Sequence, residues 1–427
     1  MKRRTLCAYS AGLLALPFTQ ARAADATVFM STQLRPVESA QALRTVILKD
    51  YHGSVDFVPE QPPELIIRMQ AEAQTNKHTV SLIAGVHGEL QPLAPQGILM
   101  PLDDVAAALK DRGFAPDLMD LGKFGTNEQK FIPWMQATYI MVANKKALPY
   151  LPAGADINAL SYAQLGAWAA AVQKATGKRL LGFPAGPSGL MHRFFEGFLL
   201  PSYTGGVVTT FRSAEAETGW TDFSALWKAV NPNSTNYNFM QEPLLTGDVW
   251  IAFDHVARVL DALTKQPDDF VAFPAPAGPT GRGWMPVLVG LAIPKGAPDV
   301  AGAKALIDYL TRPEVQIATA RVAGFFPVTN AALPPDLSPG LKLAVAAIQR
   351  TGAAKDGIPA LLPVGLGDKS GEFDKIFLDT FQRIVLRGEK PRAVLDRQGA
   401  ALATLMTDTG APCWRPDPPS KGACPVT

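Results

Sequence analysis

Several side chains stand at the ends of predicted strands, where aromatic and polar groups can meet a bound molecule. The stretch GRGWMPVLVGLAIPKG, residues 281–296, sets Trp284 between a glycine-rich turn and an apolar run. An indole there is either core or a platform on which a flat, weakly apolar face stacks. Trp134, at the end of KFIPW, and Phe325 and Phe326, in AGFFPV, carry the same two readings. Asp254 follows VWIAF directly and precedes His255. A carboxylate in that position can accept hydrogen bonds from two neighbouring hydroxyls. Arg258 and Arg282 flank the region; arginine can bond hydroxyls or grip a carboxylate, phosphate or sulfonate with two parallel bonds. AGPSG, residues 185–189, puts backbone N–H groups near Gly186 and the Ser188 hydroxyl at a predicted helix start. That is either a hydroxyl or anion site or a plain N-cap. Gln33 and Glu38 follow the first predicted strand, and His87 follows the third in GVHG.

These groups do not form a catalytic motif. GPSG lacks the spacing of the G-x-S-x-G nucleophile elbow, and the sequence has neither H-E-x-x-H nor a P-loop. Asp254-His255 could be half of an acid–base pair, but nothing positions a nucleophile. A secreted hydrolase is therefore the weaker reading, with no catalytic residue assigned and no metal or cofactor expected.

The elements that must position these residues are numerous. A chain of 427 residues exceeds one compact core, so two domains are expected. The start reads as an export signal: MKRR is basic, LCAYSAGLLALPF is apolar, and Ala21-Arg22-Ala23 fits a cleavage site, leaving Ala24 first. The apolar run is shorter than the ~20 residues a membrane span needs. Arg3-Arg4 fits a weak twin-arginine signal or ordinary n-region charge. Removing residues 1–23 takes away four of the 40 basic residues (Lys2, Arg3, Arg4, Arg22) and none of the 38 acidic ones, turning a net charge of +2 into −2. Such a balance argues against a nucleic-acid partner. Cys7 leaves with the signal, while Cys413 and Cys424 stand in a proline-rich tail and most simply form one disulfide in an oxidising compartment.

ATVFMST, VDFVPE and TVSLIAG read as strands separated by helices over ESAQALRTVILKDYHG and ELIIRMQAEAQTN. This alternation predicts an open α/β sheet with helices on its faces. LLGFPAG, DVWIAF and DFVAFPAP read as further strands, and SGLMHRFFEGFLL as a helix from Ser188. The helical pattern over residues 299–324 breaks at Arg312-Pro313. EFDKIFLDTFQRIVLRG is amphipathic, with Phe373, Ile376, Phe377, Phe381, Ile384 and Val385 inward.

The order of these segments resembles the extracellular solute-binding proteins of ABC importers, in the sugar-binding family that includes maltose-binding protein. IPWMQATYIMVANKKAL looks like the family's turn and strand ending in Tyr-Asn-Lys-x-Leu, with Ala143 in place of the usual Tyr. LSYAQLGAWAAAVQKATG resembles the following helix, with Leu160-Ser161-Tyr162 where Thr-Trp is common. FMQEPLLTGDVWIAFDHVARVL resembles the helix-to-strand passage, with Val249-Trp250 replacing Ala-Met. VAFPAPAGPTGRGWMPVLVGLAIPKGAPDVAGAKALIDYLTRPEVQ is the fullest match, and AGFFPVTNAAL follows it as in the family.

The resemblance implies a periplasmic binding protein type II fold: two discontinuous α/β lobes, each a mixed sheet flanked by helices, joined by three hinge crossings near residues 136–142, 285–292 and 323–328. The expected division is 24–138 plus 289–324 for one lobe and 139–288 plus 325–427 for the other. It also implies a periplasmic, monomeric protein that captures a carbohydrate between its lobes and delivers it to the permease subunits of an ABC importer. A sugar site needs aromatic planes for C–H faces and fixed polar groups for hydroxyls. Trp284, Trp134, Phe325, His87, Asp254, Ser188, Gly186, Gln33, Glu38, Arg258 and Arg282 are the expected contacts. The arginines leave open an anionic solute, such as a glycerol phosphate or an acidic sugar.

Overall fold

The structure is a computed structural model and describes residues 26–35 and 37–427. The export signal, its cleavage site at Ala23 and Cys7 lie outside the described residues.

Along the chain the elements are β1 (Thr27–Ser31), α1 (Val37–Ala42), β2 (Val55–Pro59), α2 (Pro62–Thr75), β3 (Leu82–Val86), α3 (His87–Leu90), β4 (Ile132–Ala137), β5 (Tyr139–Asn144), α4 (Tyr162–Thr176), β6 (Leu181–Gly182), α5 (Met191–Phe194), β7 (Ile251–His255), β8 (Phe270–Phe273), β9 (Arg282–Trp284), β10 (Val287–Ala292), α6 (Val300–Leu310), α7 (Pro313–Ala323), α8 (Pro339–Gly352), β11 (Gly357–Pro359), α9 (Ser370–Phe381) and α10 (Pro391–Thr409). Further helices lie between them, the longest over Ala214–Trp227.

One lobe is built on the five-stranded sheet β2-β1-β3-β10-β4, in which β10 runs antiparallel to both neighbours. Its inner strands bury both faces, as a helix-covered sheet requires, while the edge strand β2 buries only Phe57. Phe29 and Met30 are adjacent and both fully buried, Phe29 against Phe57 and Trp134, Met30 with Leu65 and Met69 of α2. The other lobe is built on β6-β7-β5-β8, with β5 antiparallel to β7 and β8. A two-stranded sheet, β9 with β11, lies beside it. Local signals set the helix ends. Ser161 and Gln164 form a capping box for α4, Asp299 caps α6, and Arg312-Pro313 separates α6 from α7.

Three passages join the lobes. The first is a single residue, Thr138, between β4 and β5. The second is Met285-Pro286 between β9 and β10. The third leaves α7 at Gly324, and Phe326 pairs with Gln136 through both backbone bonds, 2.6 and 3.0 Å. The passages are narrower than the sequence expectation. Val287 and Leu288, expected in the second lobe, pair with Ala137 and Gln136 of the first sheet. Pro286 has no N–H to continue a ladder, so the pairing partner changes there. Inside β10, Gly290 is fixed by contact: a Cβ there would lie 2.1 Å from the Phe131 ring.

Other boundaries also moved. The first helix becomes α1 plus a π turn over Leu43–Ile47, because Leu43 and Ile47 finish the buried face and exposed Lys49 and Asp50 follow. Strand β6 keeps only two residues, since Pro184 cannot donate to a ladder. The helix expected from Ser188 begins at Met191, because Gly189 N–H closes a turn on Gly186 O at 2.9 Å.

The C-terminal tail is packed down. Cys413 and Cys424 stand with sulfurs 1.99 Å apart. Trp414 rests on Phe373 of α9, and the buried Asp417 carboxylate accepts the N–H groups of Val207, Val208 and Thr209. Arg415 O accepts the N–H of Leu361 at 2.9 Å, which pins the strap between β11 and α9.

Candidate functional site

The C-terminal ends of β1 and β3 in the first lobe face the second lobe. Glu89, on the first turn of α3, holds its carboxyl there. Its Oε2 accepts the Thr32 hydroxyl at 2.5 Å and the Val86 N–H at 3.0 Å. Burial raises its pKa, against the pull of those bonds and of Arg193 and Arg35. The lobes touch beside it. A Cβ on Gly88 would lie 2.0 Å from the Pro363 carbonyl oxygen of the tail-pinned strap.

Across from Glu89, helix α5 supplies His192 and Arg193, and a π turn over Phe195–Leu199 continues it and holds Glu196. Arg193 Nη1 donates to Glu196 Oε2 at 2.7 Å and stands 3.6 Å from Asp374 Oδ1 on α9. His192 Nε2 lies 3.5 Å from Asp374 Oδ2. Burial pushes the Glu196 carboxyl well above its usual range, Arg193 opposes this, and the neighbouring Asp374 adds to it. Burial pushes His192 down to about 4, so it stays neutral. Burial works against the charge of Arg193, but Asp374 and Glu196 hold its pKa above the ordinary value. Tyr139, the first residue after the Thr138 passage, stacks on Phe253 with centroids 5.6 Å apart and meets His255 edge-on. This arrangement can hold a polar solute by hydrogen bonds from both lobes.

The residues singled out by the sequence fall into three groups. Gly186, Ser188, Asp254 and Arg258 come together around the loop 237–240. Gly186 N–H bonds Tyr237 O, and Ser188 N–H bonds Asn238 Oδ1. Arg258 donates to Asn238 O at 3.1 Å and Ser188 O at 3.4 Å, and lies 4.5 Å over the Phe239 ring. Asp254 is fully buried, and its two oxygens accept the N–H groups of Met240 and His255. It is therefore neither free for a ligand nor half of an acid–base pair. Ser188 is exposed and caps no helix, contrary to the expectation from AGPSG.

A second group serves packing. Trp134 is 0% exposed in the first-lobe core, edge-on to Phe29, so no face of it meets the interlobe space. Arg282 is buried, with Nη1 on Ala275 O and Nε 3.8 Å from Asp356. His87 turns into an aromatic pocket with Phe124 and Phe131, where burial pushes its pKa down to about 4. Phe325 packs near His255 in the third passage. These side chains sit inside because their neighbours are apolar, which a strand-end position alone does not reveal.

The remaining three keep some access. Trp284 is half-buried on β9, with its indole edge against Gly357. Gln33 donates to Thr32 Oγ1 at 3.1 Å, beside Glu89, and Glu38 is exposed on α1. Glu89, Arg193, Glu196 and Asp374 are not among the residues the sequence singles out. The signal for two of them was present: Arg193 and Glu196 are charges three apart inside MHRFFEGFLL, an otherwise apolar helix. Among the described residues no group of three or more His, Cys, Asp or Glu is placed to hold a metal ion, and no helix is long and apolar enough to cross a membrane.

Asp254 carries a pH prediction. Burial raises its pKa to about 7, against Arg258 and the two amide bonds. Between about pH 4 and pH 7 the unfolded chain releases this proton before the folded one does, so this group lowers stability as pH rises and levels off above. Neutral buried His87, His192 and His255 pull the opposite way below about pH 6.5. The difference between wild type and Asp254→Asn isolates the carboxyl. In urea unfolding, wild type is expected to lose stability relative to the variant, on the order of a few kcal/mol, between about pH 5 and pH 8. A difference that does not change with pH refutes this.

The family model of bacterial extracellular solute-binding proteins matches residues 46–344, and this chain belongs to that family. No curated protein matches it by sequence. Solved structures share its fold, that of the periplasmic binding proteins of type II. The GacH receptor of Streptomyces glaucescens, studied with acarbose, aligns over 90% of this chain and 98% of its own at a TM-score of 0.70 and 16% identity. Maltose-bound MalE3 of T. maritima aligns over 88% and 99%, at 0.71 and 17%. UgpB of Mycobacterium tuberculosis, in complex with glycerophosphocholine, aligns over 89% and 98%, at 0.69 and 16%.

Proposed function

We propose that the chain is the exported, periplasmic solute-capturing component of an ABC importer, and that it binds a sugar or oligosaccharide between its lobes without chemical turnover. It acts as a monomer and presents its closed, liganded form to the permease. The lobes divide at Thr138, at Met285-Pro286 and in the segment from Gly324 to Val328, and the Cys413–Cys424 bond forms on export. The observation that carries this reading is the apposition of Glu89 and Thr32 on one lobe with Arg193 on the other, whose charge acts on the Glu89 carboxyl, beside the Gly88–Pro363 contact. Acarbose and maltose in similarly folded proteins support a carbohydrate. The anionic-solute reading loses the support of Arg258 and Arg282, whose guanidinium groups are engaged with backbone carbonyls.

A thermal-shift screen against mono-, oligo- and phosphorylated sugars tests the proposal. A cognate sugar at about 100 times its Kd is expected to stabilise by about 2.7 kcal/mol. Trp284, half-buried beside the second passage, is the proposed stacking residue. Trp284→Ala is expected to weaken binding more than it weakens the fold. If melting falls while affinity holds, Trp284 serves only the β9–β11 packing.

A further inference from the structure

We infer that the interlobe site takes a solute bearing a positively charged amino group, an amino sugar in the first instance, held by the Glu196 and Asp374 carboxyls. This rests on the carbohydrate-binding reading above and narrows it. One guanidinium, Arg193, serves both carboxyls. Glu196 is only 2% exposed, yet its Oε1 and Asp374 Oδ1 meet no donor among the described residues, and the two carboxyls adjoin so that only a proton or a cation can join them; His192 Nδ1 also has no partner among those residues.

The surroundings do not supply the missing positive charge. His192 on α5 is neutral, and Tyr139 on β5 carries none. Arg258 is held on two carbonyls and the Phe239 ring. Arg35 is exposed and bonds Gln61. Asp254 on β7 and Glu89 on the opposite lobe add two more acids, each held only by amide or hydroxyl groups. A buried excess of carboxylate requires a proton or a cation. In the unliganded site one proton shared by Glu196 and Asp374 meets that need. An ammonium brings three donors and a full charge, so it can replace the proton between the two carboxyls, which then leaves to solvent. A neutral hydroxyl brings one donor and leaves the proton in place.

Two consequences follow for binding. Amine affinity rises with pH until the ligand's own amine loses its proton, and binding releases a proton to the buffer. The test is calorimetric titration of the full-length exported chain with glucosamine against glucose, galactosamine against galactose, and their N-acetyl forms, at about pH 6 and about pH 8, with ethanolamine as a sugar-free primary ammonium. The amine is expected to bind at least about tenfold more tightly than its hydroxyl partner, with acetylation abolishing the gain. Glu196→Gln and Asp374→Asn, both near-isosteric, are expected to remove the preference and the proton release together. Equal or tighter binding of the neutral sugars overturns the inference and leaves the proposed function standing. Ethanolamine binding without any sugar binding upholds the cation site and overturns the carbohydrate reading. Binding of none of these ligands overturns both.

Discussion

Gly88→Ala is expected to leave the melting temperature near that of wild type and to weaken ligand binding roughly 5- to 150-fold. The added methyl would lie 2.0 Å from the Pro363 carbonyl oxygen, a backbone atom on the other lobe. It cannot be accommodated by a side-chain rotation. The strap that carries Pro363 is fixed by β11–β9 pairing and by the Leu361–Arg415 bond. Opening the lobes removes the clash without disturbing either core, so the penalty falls on the closed state alone. Overpacking of about 1–3 kcal/mol converts to that fold-change in affinity. Titration calorimetry and a melting curve on the same preparation decide the matter. A variant that binds normally places the ligand-competent form away from this contact.

Arg193→Met is expected to destabilise the fold by about 3–5 kcal/mol near neutral pH, because it leaves the Glu196 carboxyl buried without its cation. The loss has a defined pH sign. Glu196 is already raised by burial and by Asp374, and removing Arg193 raises it further. A protonated, neutral Glu196 tolerates the methionine, so the deficit shrinks toward acid pH and grows toward alkaline pH. Adding Glu196→Gln to the same chain is expected to restore most of the loss. Urea unfolding at about pH 5.5 and about pH 8 reads both effects. A deficit independent of pH, unrelieved by the glutamine, would assign Arg193 to packing.

The sequence made the scaffold legible because scaffold signals are local. Apolar, β-branched and aromatic runs marked β1, β2 and β3, a helical apolar face marked α9, and Pro313 marked the break between α6 and α7. IPWMQATYIMVAN is one extended run, and only the change of pairing partner at Thr138 divides it. The site was less legible. Trp134 lies inside β4 and Arg282 opens β9, and both are enclosed because neighbours from distant segments cover them. Glu89, Arg193 and Asp374 lie on α3, α5 and α9, and only tertiary packing brings them to one place. A charge inside an apolar helix was the single local sign.

The three passages between the lobes are stitched to one another as well as to their own sheets. Gln136 exchanges backbone bonds with Phe326, its side chain reaches Pro327 O at 2.7 Å, and Thr138 Oγ1 donates to Met285 O at 2.8 Å. Three independent tethers would let two bodies slide, tilt and twist. Tethers bonded side by side share one axis, and rotation about it is the motion that breaks none of those bonds. Lobe movement is then expected to follow that one axis, and two pairs of distance labels placed across the lobes are expected to change together.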